Sequence, residues 1–249
     1  MIRIGVLGGI GPEATGEFYI KLIERMQTRG LIRSNVDYPQ IIINSIPAPE
    51  LPAGLCDEAI SFEDLDPLYV SGLKELDKWG VDFIVIVCNT VHLFYDELQK
   101  AVKAPIINLR EEMKKTLAKK NISTIAVLGT PWTVKMGLYR FEDIKEISLN
   151  DDEIEQLYKC IVNFSRGYEK QKQIQIVKEL YDKCIKRGAE AIILGCTEVA
   201  LMLAGLPSTI DSIEVLVEAT IERFCRLKHL KSDSETYSQL TAPKSRETI

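Results

Sequence analysis

The chain carries an internal repeat, and that repeat constrains its fold more than any other feature. Gly80-Val81-Asp82-Phe83-Ile84-Val85-Ile86-Val87-Cys88-Asn89-Thr90 aligns without gaps on Gly188-Ala189-Glu190-Ala191-Ile192-Ile193-Leu194-Gly195-Cys196-Thr197-Glu198. Each copy opens on a glycine that can end a helix. An acid comes two residues later, then an apolar run of strand length (interrupted by Gly195 in the second copy), then cysteine. Ile4-Gly5-Val6-Leu7-Gly8-Gly9 and Ile125-Ala126-Val127-Leu128-Gly129-Thr130 form a second pair. Ala104–Asn108 and Leu206–Asp211, with one extra residue, form a weaker third. Three matches in the same order imply two similar lobes and not a short-period solenoid.

The runs Ile2–Leu7, Gln40–Asn44, Phe83–Val87, Pro105–Asn108, Thr124–Leu128 and Ala191–Leu194 read as strands buried on both faces. Leu68–Trp79, Gln173–Lys186 and a last segment with Ile213, Leu216, Val217, Ile221 and Phe224 on one face read as helices. The alternation predicts an α/β protein: two similar Rossmann-like parallel-sheet lobes with the active site in the cleft between them. The 249 residues suffice for two cored lobes. The expected division is 1–103 plus 209–228 for the first lobe, the last helix returning to it, and 104–208 for the second. Residues 229–249 read as a polar, disordered tail. A net charge of -5 offers no nucleic-acid surface. No apolar run approaches the ~18 residues of a membrane span, and the N-terminus is too short and glycine-broken for a signal peptide. A cytoplasmic protein without nucleic-acid or membrane partners is expected. Trp79 and Trp132 read as core or lobe-packing residues.

The cysteines are Cys56, Cys88, Cys160, Cys184, Cys196 and Cys225, with no CxxC pair. A lone cysteine at a strand end is, by default, a buried free thiol. The matched pair departs from that default, because packing alone does not demand the same residue at equivalent points of both lobes. Ligands of open α/β sheets bind beyond the carboxyl ends of the strands, where Cys88 and Cys196 fall. Thr90 and Thr197 are candidate caps of the next helices, and a helix start is expected to lower the thiol pKa. Two opposed sulfurs suit inversion at an α-carbon: one, as thiolate, removes the proton from one face, and the other, as thiol, supplies one to the opposite face. Backbone N–H groups and hydroxyls near Asn89, Thr90, Thr130, Thr133 and Thr197 are candidates to hold the α-carboxylate.

Two other signals are weaker. Gly9-Ile10-Gly11-Pro12-Glu13-Ala14 fits a loose dinucleotide pattern, but Glu13 and Glu17 crowd the helix start where a pyrophosphate would sit. The glycines read instead as room for a small ligand to approach the backbone. Cys88, His92 and Cys196 allow a zinc site with an open position, which no HExxH or CxxC supports. His92 reads as hydrogen-bonded or packed. A non-catalytic amino-acid-binding protein on the same scaffold stays open, as does an isomerase or decarboxylase that relies on one dominant cysteine.

Leu7-Gly8-Gly9-Ile10-Gly11-Pro12-Glu13-Ala14-Thr15, Cys88-Asn89-Thr90-Val91-His92, Gly129-Thr130 with Thr133, and Leu194-Gly195-Cys196-Thr197-Glu198 together resemble the aspartate/glutamate racemase family, its aspartate branch in particular. The resemblance covers roughly residues 2–228. It implies racemisation without pyridoxal phosphate, metal or other cofactor, often in a homodimer, with L-/D-aspartate as the substrate and Cys88 and Cys196 as proton carriers. It also implies a substrate pocket lined by Gly9, Ile10, Gly11, Pro12, Asn89, Thr90, Thr130, Thr133 and Thr197. Arg166, before Gly167, matches a basic position that would bind a substrate carboxylate. One departure stands out: Ile46–Gly54 lacks the arginine that aspartate racemases carry there, leaving Lys135, Arg140 or a different substrate to account for it. Glu198 occupies the place of a histidine common in the glutamate branch.

Overall fold

The computed structural model describes residues 1–47, Pro49 and residues 61–241, with 231–241 described by backbone only. The first half contains β1 (Arg3–Gly8), α1 (Pro12–Thr28), β2 (Gln40–Ser45), α2 (Pro67–Lys78), β3 (Phe83–Ile86), α3 (Tyr95–Lys100) and α4 (Leu109–Lys119). The second contains β4 (Thr124–Gly129), α5 (Pro131–Lys135), β5 (Lys145–Glu146), α6 (Asp151–Ser165), α7 (Lys170–Lys186), β6 (Ala191–Gly195), α8 (Thr197–Met202), β7 (Thr209–Asp211) and α9 (Ser212–Thr241).

The repeated segments become neighbouring strands. The first sheet has the order β2-β1-β3 and the second β5-β4-β6-β7, all pairs parallel. Leu7 lies beside Ile86 in one sheet, and Leu128 beside Leu194 in the other. The weak third match holds as well. Ile106 bridges to Ile84 on the free side of β3, and β7 pairs with β6, Thr209 beside Ile192. The frame is therefore strand-for-strand the same in both halves.

These pairings move two expected boundaries. Residues 105–107 hydrogen-bond to Ile84 and stay with the first sheet, although they were expected to open the second lobe. Residues 209–211 form β7 of the second sheet instead of belonging to the first lobe. In each case a short segment with weak intrinsic pattern is held by the strand edge beside it. The last helix also runs to Thr241, beyond the expected end at 228. Residues 242–249, Cys56 and most of Ile46–Gly54 lie outside the described residues.

Helix α1 buries Ala14, Phe18, Leu22 and Met26, an unbroken i, i+4 row. Against it packs α9 through the face read from its periodicity: Ile213, Leu216, Val217, Ile221 and Phe224 are all buried. Lys21 bridges Asp211 and Glu214, Arg25 bridges Glu214 and Glu218, and Arg29 pairs with Glu218. These pairs are partly exposed, so each contributes ~0–1 kcal/mol, and apolar burial holds the helix in place. Gly195, which interrupts the apolar run of β6, sits where a Cβ would come within 2.9 Å of a Val127 methyl group. Trp79 is not a core residue: at the C-cap of α2, where the buried face of that helix runs out, it is 64% exposed. Among the described residues no helix is long and apolar enough to cross a membrane.

Candidate active site

The carboxyl ends of β1, β3, β4 and β6 converge on one cavity of about 350 Å³. Each strand hands over there to a helix start: Gly11 to α1, Asn89 to the 3-10 turn Thr90–Phe94, Thr130 to α5 and Cys196 to α8. Backbone N–H groups at such starts have no intrahelical partner, so several of them gathered in one place suit an anionic group. Gly9, Ile10, Gly11, Pro12, Cys88, Asn89, Thr90, Thr130, Arg166, Cys196 and Thr197 all line this cavity. Thr133 lies just behind it, buried.

The two sulfurs arrive from different sheets, and each acts electrostatically on the same Tyr139 hydroxyl. The thiols are not acidified as expected. Burial pushes Cys88 up to about 12; the Val91 N–H opposes this, the Glu198 charge adds to it, and the Thr90 N–H opposes it. Burial likewise raises Cys196 well above the usual thiol range, helped by the charge and hydrogen bond of Glu198, against the Glu198 N–H. The helix starts do favour thiolate, but desolvation outweighs them. Both groups rest as thiols at neutral pH.

A ring of hydroxyls ties the lobes together. Thr90 Oγ1 lies 2.9 Å from Thr130 Oγ1 and 3.1 Å from Thr133 Oγ1, and the last two are 3.1 Å apart. Thr90 is therefore not a helix cap, and Thr197 donates to Glu198 at 3.0 Å instead of capping α8. Thr130 does cap α5, through the Thr133 N–H.

His92 is buried, and burial holds its pKa down to about 4. The neutral ring places Nε2 3.3 Å from the Ile86 carbonyl, to which it donates. That nitrogen is committed to the backbone, and no three His, Cys, Asp or Glu side chains among the described residues cluster as metal ligands. Arg166, at the C-cap of α6, reaches the cavity, and among the described residues its guanidinium has no ion-pair partner. Lys135 and Arg140 do not line it. They pair with Asp151 at 3.3 Å and Glu146 at 3.9 Å.

The Asp/Glu/Hydantoin racemase family model matches residues 7–220, nearly the whole described chain. The chain belongs to this family. It is 30% identical over 234 residues to the broad specificity amino-acid racemase RacX of Bacillus subtilis, covering 89% of this chain and 97% of that one. A glutamate racemase of Aquifex pyrophilus is 27% identical over 167 residues, 65% of this chain and 63% of its own. Among solved structures, an aspartate racemase homologue from Pyrococcus horikoshii superposes with a TM-score of 0.67 at 26% identity, over 89% of this chain and 98% of that one. The Picrophilus torridus aspartate racemase shares the fold, with a TM-score of 0.69 at 22% identity over 90% and 94%.

Several residues of the cavity were not legible in the sequence. Tyr69, Trp132, Tyr158, Ile161 and Val162 form its aromatic and aliphatic wall. Tyr139 is buried below the thiols, where its hydroxyl donates to Asn89 Oδ1, while Asn89 Nδ2 donates to Ser212 Oγ at 3.0 Å. Tyr139 comes after α5 in a stretch with no periodic pattern, and Ser212 looks like an ordinary helix start, so neither carried a signal. Glu198 did carry one: it stands at the repeat position that Thr90 fills in the other half.

Proposed function

We propose that the chain racemises a free α-amino acid by passing its α-proton between Cys88 and Cys196, without a cofactor, with aspartate or a close acidic analogue as first substrate. One observation carries this reading: equivalent cysteines, from matching strand ends of two lobes, line one cavity ringed by helix starts. A carboxylate on those N–H groups and on the Thr90, Thr130 and Thr197 hydroxyls sets the α-carbon between the sulfurs. Charge that moves onto the carboxylate as the proton leaves is met by donors already in place. Arg166 is the cavity's basic reader for a side-chain carboxylate.

A second reading widens the substrate range. The wall of Tyr69, Trp132, Tyr158, Ile161 and Val162 favours apolar side chains as well, and the Bacillus subtilis relative is a broad-specificity racemase. The same proposal includes a homodimer in the cytoplasm, which sedimentation and fractionation check. The deciding experiment incubates each enantiomer of a panel of amino acids in heavy water and follows α-deuterium and optical rotation together. Racemisation gives both signals from either enantiomer. A binding module gives neither, and that outcome removes the reading.

A further inference from the structure

The repeat sets a hydroxyl in one lobe against a carboxylate in the other. Thr90 stands two residues after Cys88, and Glu198 two residues after Cys196. Thr90 is bound to Thr130 and Thr133. Glu198 Oε2 accepts from the Cys196 thiol at 2.9 Å and from Thr197 Oγ1 at 3.0 Å. Its Oε1 faces the other lobe, in the space a side chain at Gly11 would take: a Cβ built there would come within 2.6 Å of it. The carboxylate is thus wedged between the two halves with one oxygen on a candidate proton carrier.

We propose that Glu198 is a catalytic residue that takes the Cys196 thiol proton and keeps it inside the cavity, so that a thiolate forms without a proton crossing to solvent. This deepens the racemase reading and rests on it. Two thiols and one carboxylate have three arrangements with the same proton count and a single negative charge. In the first, both cysteines are thiols and Glu198 is ionised. In the second, the Cys196 S–H bond has broken and an O–H bond has formed on Glu198. The Cys196 thiolate then takes the α-proton: the C–H bond breaks, an S–H bond forms, and the electron pair stays on the substrate. Cys88 gives its proton to the opposite face, where a new C–H bond forms, leaving the Cys88 thiolate. That third arrangement accepts the other enantiomer and returns to the second by the same steps reversed. Glu198 holds one proton throughout turnover in both directions.

The buried setting is what calls for such an acceptor. Cys196 and Tyr139 are buried and Cys88 is half-buried, and the desolvation that holds both thiols protonated makes ionisation into solvent rare. Arg166 is the basic group lining the same cavity.

The test is Glu198→Gln, which keeps the shape and removes the proton acceptor. Racemisation at neutral pH should fall on the order of 10²-fold or more. In the unaltered protein log kcat/KM should be flat across neutral pH. In E198Q it should climb with a slope near one, because the Cys196 proton must then leave for solvent. Since the two enantiomers are equally stable, kcat/KM must fall equally in both directions. Glu198→Asp should recover the flat profile at reduced rate, which separates proton acceptance from loss of fold. A second readout needs no turnover: iodoacetamide alkylation of Cys196 in a Cys88→Ser background should shift its midpoint to lower pH in E198Q, since a negative neighbour is removed. Undiminished activity, a flat E198Q profile or an unmoved alkylation midpoint each overturns the role of Glu198 while leaving the racemase reading in place. If the unaltered protein racemises nothing, both readings fall, whatever the midpoint does.

Discussion

The two lobes share strand order and cysteine placement but differ in the residues just beyond each cysteine. After Cys88 come Asn89, Thr90 and, one turn on, His92; after Cys196 come Thr197, Glu198 and Ala200. In the first lobe the polar groups turn inward or across: Asn89 joins Tyr139 and Ser212, Thr90 joins the second lobe's threonines, and His92 binds the Ile86 carbonyl. In the second, Glu198 holds the sulfur itself. A duplicated frame fixes where the sulfurs sit, and the residues beside them are free to diverge into different tasks.

The largest effect that can break this comparison comes from the sulfurs. Cys88→Ser and Cys196→Ser should each lower racemisation by roughly 10³-fold or more, measured by chiral chromatography. Each variant should keep α-deuterium exchange on the face of its remaining thiol. Exchange of both enantiomers in either variant would mean the lobes do not act on opposite faces.

The next effect tests what joins the lobes. Leu216→Ala, at a fully packed α9 position, should cost ~2–5 kcal/mol in denaturant unfolding, while Arg25→Ala on the same contact should cost ~0–1 kcal/mol. Equal losses would mean that ion pairs, not packing, carry α9. Arg166→Ala should lower kcat/KM for aspartate by about 10- to 100-fold, the equivalent of one charged hydrogen bond, and leave alanine nearly untouched. A uniform loss across side chains would make Arg166 structural.

His92 gives the next smaller effect, one confined to the first lobe. Its pKa is about 4 in the folded protein against 6.5 for an ordinary histidine. Between these values the unfolded chain binds a proton that the native ring refuses, so stability falls as pH drops from 6.5 towards 4 and is fully present above. His92→Gln should flatten that part of the stability–pH curve, tracked by thermal melting. Cys160→Ser is the smallest: Cys160 is buried in the second lobe, away from the cavity, and turnover should be intact.

The central strands were legible because both their faces are covered, which leaves continuous apolar runs such as Phe83–Ile86 and Ala191–Gly195; β2, read from the sequence as buried on both faces, is instead an edge strand with Ile43 40% exposed. The helix faces were legible from spacing, Ile213 to Phe224 most clearly. β5 was not legible: it is two residues, Lys145 and Glu146, paired in the sheet with the edge of β4. The cavity's strand-end residues could be read from the repeat and the family resemblance, since they sit at fixed offsets from it. Tyr139 and Ser212 could not, because they reach the site through tertiary packing from segments with no pattern of their own. The thiol acidity escapes the sequence for a related reason. A helix start is visible there, whereas the depth at which it is buried is a property of the whole fold.

The way α9 lies on α1 bears on how such a molecule can be divided. A chain ending after α4 would uncover the side of α1 on which α9 packs and would hold a single sulfur above an open cleft. Half of this protein would be a sticky fragment until it met a second half, which would shelter the oily face and complete the proposed reaction centre at one stroke. Packing and the proposed chemistry meet at the same seam, and neither can be cut away without the other.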